Sequence, residues 1–120
     1  MTGGVGRKSV VAPCELFSKR LVPAIRAAMV IIMVREYGLT AYRAAKILGI
    51  TPAAASNYVL KRRGSRIAEV ILGYEKARRK IAEVVERAIV QGSAGPEAIC
   101  EVCRFLRKTM PELREVLSYP

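Results

Sequence analysis

Apolar residues recur three or four positions apart through almost all of the 120-residue chain, and this spacing constrains its fold more than any other feature. Residues at that spacing share one face of a helix, whereas a half-buried strand alternates with a period of two. No such alternation persists for more than a few residues. The pattern predicts an all-α fold without strands, and 52% hydrophobic residues are enough to fill its core.

Glycine and proline positions predict where the helices begin and end. We expect a short helix at 15–21 and a longer one from Pro23 to about Tyr37, which Gly38 ends. The later predicted helices span 41–48, 52–62, 67–89, 97–108 and 111–117. The helix at 67–89 is expected to be one long or kinked helix that Gly73 bends. The helix after Pro23 is so apolar that it should form the buried centre of the bundle.

Missing residue types exclude several kinds of chemistry. The chain has no His and no Asp, so it cannot build a Ser-His-Asp triad or an imidazole metal site. This absence argues against an enzyme. The longest uninterrupted apolar run, 27–34, is far shorter than the roughly 20 residues of a membrane-spanning helix, so no membrane partner is expected.

The amide content and the first residues of the chain indicate the kind of organism and the cellular compartment in which the protein works. Asn57 and Gln91 are the only side-chain amides, a composition that predicts a thermophilic source, although a short chain can reach it by chance. The charged start of the chain is followed by neither a long apolar segment nor a small-residue cleavage site. We therefore expect a loose basic arm at 1–12 and a cytoplasmic protein.

The charge of the chain is strongly positive and unevenly distributed. The net charge is +11, of which residues 1–64 carry +9 and residues 65–120 only +2. Such an excess favours a polyanionic partner such as nucleic acid. The first half is therefore expected to contact phosphate, and the second to pack or pair.

Residues 40–60 have the spacing of a helix-turn-helix unit. Thr40 and Thr51 are suited to cap the two helices, and Gly49 lies where the turn needs a positive φ. Ala45 is small where two helices would cross closely. The residues expected to face the core are Ile47, Leu48, Ile50, Ala55, Tyr58 and Val59. The competing interpretation is an ordinary pair of helices within a bundle.

The outer face of the second helix of this unit would enter a DNA major groove. The candidate base-reading residues are Thr51, Pro52, Ala53, Ser56 and Asn57. Asn57 can bond an adenine edge through two hydrogen bonds, and Ala53 can contact a thymine methyl. The candidate phosphate ligands are Arg43, Lys61, Arg62 and Arg63. Double-stranded DNA is the expected partner.

The chain resembles a family of archaeal transcriptional regulators with a lambda-repressor-like helix-turn-helix. The resemblance rests on Pro13-Cys14-Glu15, on residues 21–26, on the motif through 63–65, and on Cys-Glu-Val-Cys-Arg at 100–104. The chain is also similar to the N-terminal module that some archaeal regulators fuse to a thiamine-phosphate-binding domain, which has no counterpart here. The resemblance implies a lambda-repressor-like DNA-binding regulator that reads bases with residues 51–57.

These predictions divide the chain into the arm at 1–12, a helix-turn-helix domain at 13–64 and a helical extension at 65–120. The extension has an apolar stripe at 67–89 and further apolar residues near the C-terminus. This is more than a small N-terminal bundle can bury, and helix-turn-helix proteins commonly bind DNA as dimers, so a homodimer is predicted. The alternative is that the extension folds back on its own N-terminal domain, and one chain can do both.

Three cysteines, Cys14, Cys100 and Cys103, leave several roles open. The C-x-x-C pair on a helix places two sulfur atoms one turn apart. With Cys14, and a Glu or a partner-chain ligand, they would hold an iron–sulfur cluster or Zn²⁺. A disulfide and plain packing are the alternatives. Taken together, the sequence features predict a sequence-specific transcriptional regulator that responds to redox state or metal through its cysteines. The alternatives are a nonspecific chromatin or RNA-binding protein and an iron–sulfur or metal-binding redox sensor.

Overall fold

A computed structural model describes the backbone of residues 13–60 and 65–111 and the side chains of residues 20–60 and 66–111. Over these residues the chain forms six α-helices and no strand, as the apolar spacing predicts. The helices are α1 (Pro13–Arg35), α2 (Ala41–Leu48), α3 (Pro52–Val59), α4 (Ser65–Leu72), α5 (Glu75–Gln91) and α6 (Pro96–Thr109).

The first helix runs unbroken through Pro23, so the predicted division into two helices at this residue is wrong. A proline inside a helix removes a backbone hydrogen bond and costs about 3 kcal/mol. Leu21 and Ile25 on either side of it are fully buried, however. Burying one such side chain is worth about 1.5–3 kcal/mol, so packing outweighs the loss.

The same helix is the centre of the fold, which confirms the prediction from its apolar sequence. Every side chain from Ala27 to Met33 is at most 2% exposed. Each of α2 to α6 packs against α1, which accounts for the burial of its segment 27–33.

The apolar stripe at 67–89 lies on two helices rather than one. Gly73 ends α4 by donating its backbone N–H to the Glu69 carbonyl at 2.9 Å, and α5 begins at Glu75. Most of the stripe is buried within the chain itself, at Ile71, Ala77, Ile81, Val84, Val85 and Ala88, whereas its members Val70 and Tyr74 are exposed. Folding back on the N-terminal helices thus accounts for most of the stripe, and the homodimer stays a prediction.

Several predicted segments differ from the structure or lie outside it. The helix predicted at 52–62 ends at Val59. The last predicted helix begins at Pro111, which is a turn, and its remaining residues lie outside the described part, as do the arm at 1–12 and residues 61–64. In the described ranges no helix is both long and apolar enough to span a bilayer.

Candidate nucleic-acid interface

Two threonine caps define the helices of the predicted motif. The Thr40 Oγ1 accepts a hydrogen bond from the Arg43 backbone N–H at 3.1 Å. The Thr51 Oγ1 accepts one from the Ala54 N–H at the same distance, and Pro52 fills the first helical position. Each cap satisfies a backbone donor that a helix start would leave without a partner. These local bonds explain why both helix starts agree with the prediction.

The connection between α2 and α3 is a three-residue turn, Gly49-Ile50-Thr51. Gly49 has φ +70° and ψ +31°, the left-handed conformation that glycine adopts without steric penalty. The Ile50 N–H donates to the Ala45 carbonyl at 3.0 Å and closes the end of α2. The turn therefore has the geometry that the sequence predicts for Gly49.

Small residues allow the two helices to approach each other and α1. Ala45 is 2% exposed and Ala55 is fully buried, while Ile47 is 5% exposed. The remaining side chains predicted to face inward are partly buried against the core, at Leu48, Ile50, Tyr58 and Val59. The α3 helix packs against both α2 and α1. The predicted inner face of the motif is confirmed.

The predicted base-reading residues divide into two groups. Thr51, Pro52 and Ala53 are exposed at the start of α3, whereas Ser56 and Asn57 one turn later are half-buried. The five residues thus extend from the N-cap of one short helix to its last turn. Ser56 and Asn57 are less accessible than a purely outward-facing position would be.

The α2 helix adds two exposed cations beside α3. Arg43 and Lys46, three positions apart, are both exposed, and the Lys46 Nζ lies 5.8 Å from the centre of the exposed Tyr42 ring. Lys46 was not among the predicted phosphate ligands, although its spacing from Arg43 already placed it on the same helix face. The predicted ligands Lys61, Arg62 and Arg63 lie outside the described residues and stay predictions.

The sequence around these cations contains no carboxylate between residues 37 and 68. The acidic residues on either side of this segment, Glu36 and Glu69, each lie close to an arginine of another helix or segment. Glu36 forms an ion pair with Arg78 of α5, and Glu69 lies 3.6 Å from Arg35 of α1. The positive charge of α2 is therefore not neutralised by a neighbouring segment of its own sequence, a condition that favours phosphate binding.

A backbone hydrogen bond joins the motif to the C-terminal half. The Ala94 N–H, in the connection between α5 and α6, donates to the Ile47 carbonyl at 2.9 Å. Ile47 belongs to the last turn of α2, where carbonyl groups lack a partner within the helix. The loop at 92–95 thus holds the C-terminal end of α2, a contact that no sequence pattern indicates.

A cluster of charged side chains joins α5 to α6. Glu101 accepts hydrogen bonds at 2.8 Å from Arg87 and from Lys80, and Lys80 also contacts Glu83 at 3.0 Å. The bonds from Arg87 and Lys80 lower the pKa of Glu101 from 4.5 to about 2. Lys80 is only 22% exposed, so this part of α5 is a contact between helices.

Two of the three cysteines lie within the described residues. Cys100 is exposed and Cys103 half-buried, and both are free thiols. Burial raises the pKa of Cys103, against the opposing effect of Arg107 and Arg104. In the part of the chain with described side chains, no three His, Cys, Asp or Glu residues come together as metal ligands. The side chain of Cys14 lies outside that part, so the predicted three-cysteine site is not tested.

No model of a known family, no curated protein and no solved structure matches this chain. What is shown is an all-α fold of six helices over the described residues, in which two capped helices at 41–48 and 52–59 are joined by a three-residue turn. The resemblance to archaeal lambda-repressor-like regulators stays a prediction.

Proposed function

We propose that the chain is a sequence-specific DNA-binding transcriptional regulator that places α3 in the major groove. One observation carries this proposal. The exposed start of α3 lies next in sequence to a helix with two exposed cations, in a segment without carboxylates. An ordinary helix pair in a bundle has no need of this combination of a polar, capped helix start and uncompensated positive charge.

In this proposal some residues contact the phosphate backbone and others contact the bases. Arg43 and Lys46 of α2 contact phosphate, which provides affinity that depends on salt but not on sequence. Thr51, the N-cap of α3, and Ser56 and Asn57 within the helix reach base edges. A bidentate contact from Asn57 to an adenine is worth about 1–3 kcal/mol of discrimination against other bases. Pro52 and Ala53 add apolar contact, with thymine methyl groups as the natural partner.

The proposal includes a homodimer, because one α3 helix reads only a few base pairs. Two copies related by a two-fold axis would read two half-sites about one helical turn of DNA apart. The bound sequence would then be a palindrome. The same experiment that tests base reading therefore tests the dimer.

Selection of bound duplexes from a random library tests this function, and the chain offers a matched control. The wild type, Asn57→Ala and Gln91→Ala are compared; Gln91 is the other side-chain amide and lies exposed at the end of α5. We expect a shared palindromic site for the wild type and for Gln91→Ala. In Asn57→Ala, the preference for adenine at one position of each half-site should be lost.

The same selection experiment also has a result that would contradict sequence-specific binding. If all three proteins select fragments without a common sequence, and salt releases those fragments equally, sequence-specific reading is wrong. The chain would then be a nonspecific nucleic-acid-binding protein, and the same assay with RNA in place of duplex DNA would show which polymer it prefers.

A further inference from the structure

A cavity of about 150 Å³ lies where α5 meets α6, and none of its lining residues belongs to α2 or α3. The end of α5, the loop at 92–95 and the start of α6 form its walls. It adjoins a more open groove of about 530 Å³, with which it shares Arg87, Gln91 and Glu101. One water molecule takes up about 30 Å³, so the cavity has room for a small organic molecule.

The walls of the cavity and the groove carry a charge opposite to that of the whole chain. Residues 83–101 contain four glutamates and one arginine, a net charge of −3 in a chain of +11. The single arginine, Arg87, is already paired with Glu101 at 2.8 Å. A small cation is repelled by most of this protein and attracted to this surface, so a cation is the ligand that the lining favours.

Two carboxylates of the cavity retain acceptor oxygens. The other glutamates with described side chains each have an ion pair or a hydrogen bond, at Glu36, Glu69, Glu75, Glu83 and Glu86. Among the described side chains no cation pairs with Glu97, whose carboxylate lies over Gly95 beside the loop. Glu101 binds Lys80 and Arg87 through Oε2, which leaves its Oε1 as an acceptor.

The spacing of these two carboxylates and the apolar surface near them define the shape of the cation. Glu97 and Glu101 are four positions apart on α6, where Cβ atoms are about 5–6 Å apart. Ala88 of α5 and Ala98 of α6 line the same cavity and offer methyl groups to the ligand. Two ammonium groups joined by a short chain of methylene groups match both features.

We propose that this cavity binds a short linear aliphatic diamine, with one ammonium group on Glu97 and the other on Glu101. Each ammonium donates a charge-assisted hydrogen bond to a carboxylate oxygen, and the methylene chain packs on the two alanines. Ala94 also lines the cavity, and its backbone N–H holds the end of α2 through the Ile47 carbonyl. The bound diamine therefore lies against the loop that positions α2.

Calorimetric titration of the full chain with 1,4-diaminobutane tests this site without DNA, so its failure would leave the proposed DNA reading untouched. We expect one diamine per chain, with NMR shifts of the backbone amides in the loop at 92–95. The matched ligand is 1-aminobutane, which has the same carbon chain and one ammonium group. It should bind at least about tenfold more weakly, because it engages one carboxylate instead of two.

Glu97→Gln removes the charge without changing the size of the side chain, and the residue is exposed, so the core stays intact. This variant should bind the diamine at least about tenfold more weakly than the wild type. The control is Glu75→Gln, which removes a glutamate at the start of α5 that lines neither the cavity nor the groove. We expect it to bind as the wild type does. Absence of binding, equal binding of the two amines, or equal binding by Glu97→Gln and the wild type would each overturn the diamine site.

Discussion

At the scale of single residues, the shape of the motif depends most directly on Gly49. Its φ of +70° belongs to a region that costs an L-residue with a Cβ about 1–2 kcal/mol. A Cβ built at this position would meet no atom within 4 Å. The glycine is therefore required by backbone conformation and not by lack of space.

Gly49→Ala should accordingly lower the free energy of unfolding by about 1–2 kcal/mol through backbone strain alone. Gly49→Asn should lose less, since asparagine tolerates the left-handed region better. Chemical denaturation of both variants and the wild type measures the difference. Equal stability of Gly49→Ala and the wild type would mean that the turn does not need this conformation.

At the scale of helices, the crossing of α2 and α3 depends on the absence of side-chain volume. Ala55 is fully buried on α3, while Ala53, two positions earlier on the same helix, is exposed. The two alanines share one helix but not one environment. They separate the effect of packing from the effect of helix propensity.

Ala55→Val should therefore destabilise the protein by about 1–3 kcal/mol, because the added methyl groups have no room between the helices. Ala53→Val carries the same small propensity loss but meets solvent, so it should change stability by less than about 1 kcal/mol. Thermal unfolding of the two variants makes the comparison. Similar losses in both would contradict the close approach of α2 and α3.

The contact between α5 and α6 depends on the ionised form of Glu101. Because the folded protein lowers the pKa of this group to about 2 from 4.5, the ionised carboxylate stabilises the fold above about pH 4.5. That contribution is lost as the pH falls from about 4.5 towards about 2. Since Glu101 is partly exposed, the stabilisation is limited to about 1 kcal/mol.

Glu101→Gln should lower the free energy of unfolding by about 1 kcal/mol at pH 7 and leave it nearly unchanged near pH 2. The control is Glu75→Gln, whose pair with Arg79 on the surface of α5 is exposed. Its effect should be small at both pH values. Denaturation curves across this pH range measure both variants, and a loss in Glu101→Gln that persists at low pH would contradict the ion-pair explanation.

At the scale of the whole molecule, the sequence predicted best what is decided locally. The ends of α2, the turn at Gly49 and the start of α3 follow from caps and glycine that act within a few residues. The continuity of α1 through Pro23 was missed, because it depends on burial by helices that are distant in sequence. The hydrogen bond from Ala94 to Ile47 was missed for the same reason.

The candidate interface shows the same division between local and distant information. The exposure of Thr51, Pro52 and Ala53 agrees with the prediction, and the three residues stand together at the N-terminus of α3. The partial burial of Ser56 and Asn57 depends on how α3 packs in three dimensions. Periodicity gives the direction of a side chain from its helix but not the depth of the neighbouring surface.

The salt dependence of duplex DNA binding tests the central claim most directly, because it counts the phosphate contacts made by α2. The affinity of the wild type, Arg43→Gln, Lys46→Gln and Lys76→Gln is measured across a range of salt concentrations. Lys76 is an exposed lysine on α5 and serves as the charge-matched control. We expect each α2 variant to flatten the slope of log K against log salt concentration by about 0.9, and Lys76→Gln to leave it unchanged. Equal slopes for all four proteins would contradict a DNA-binding surface formed by α2 and α3.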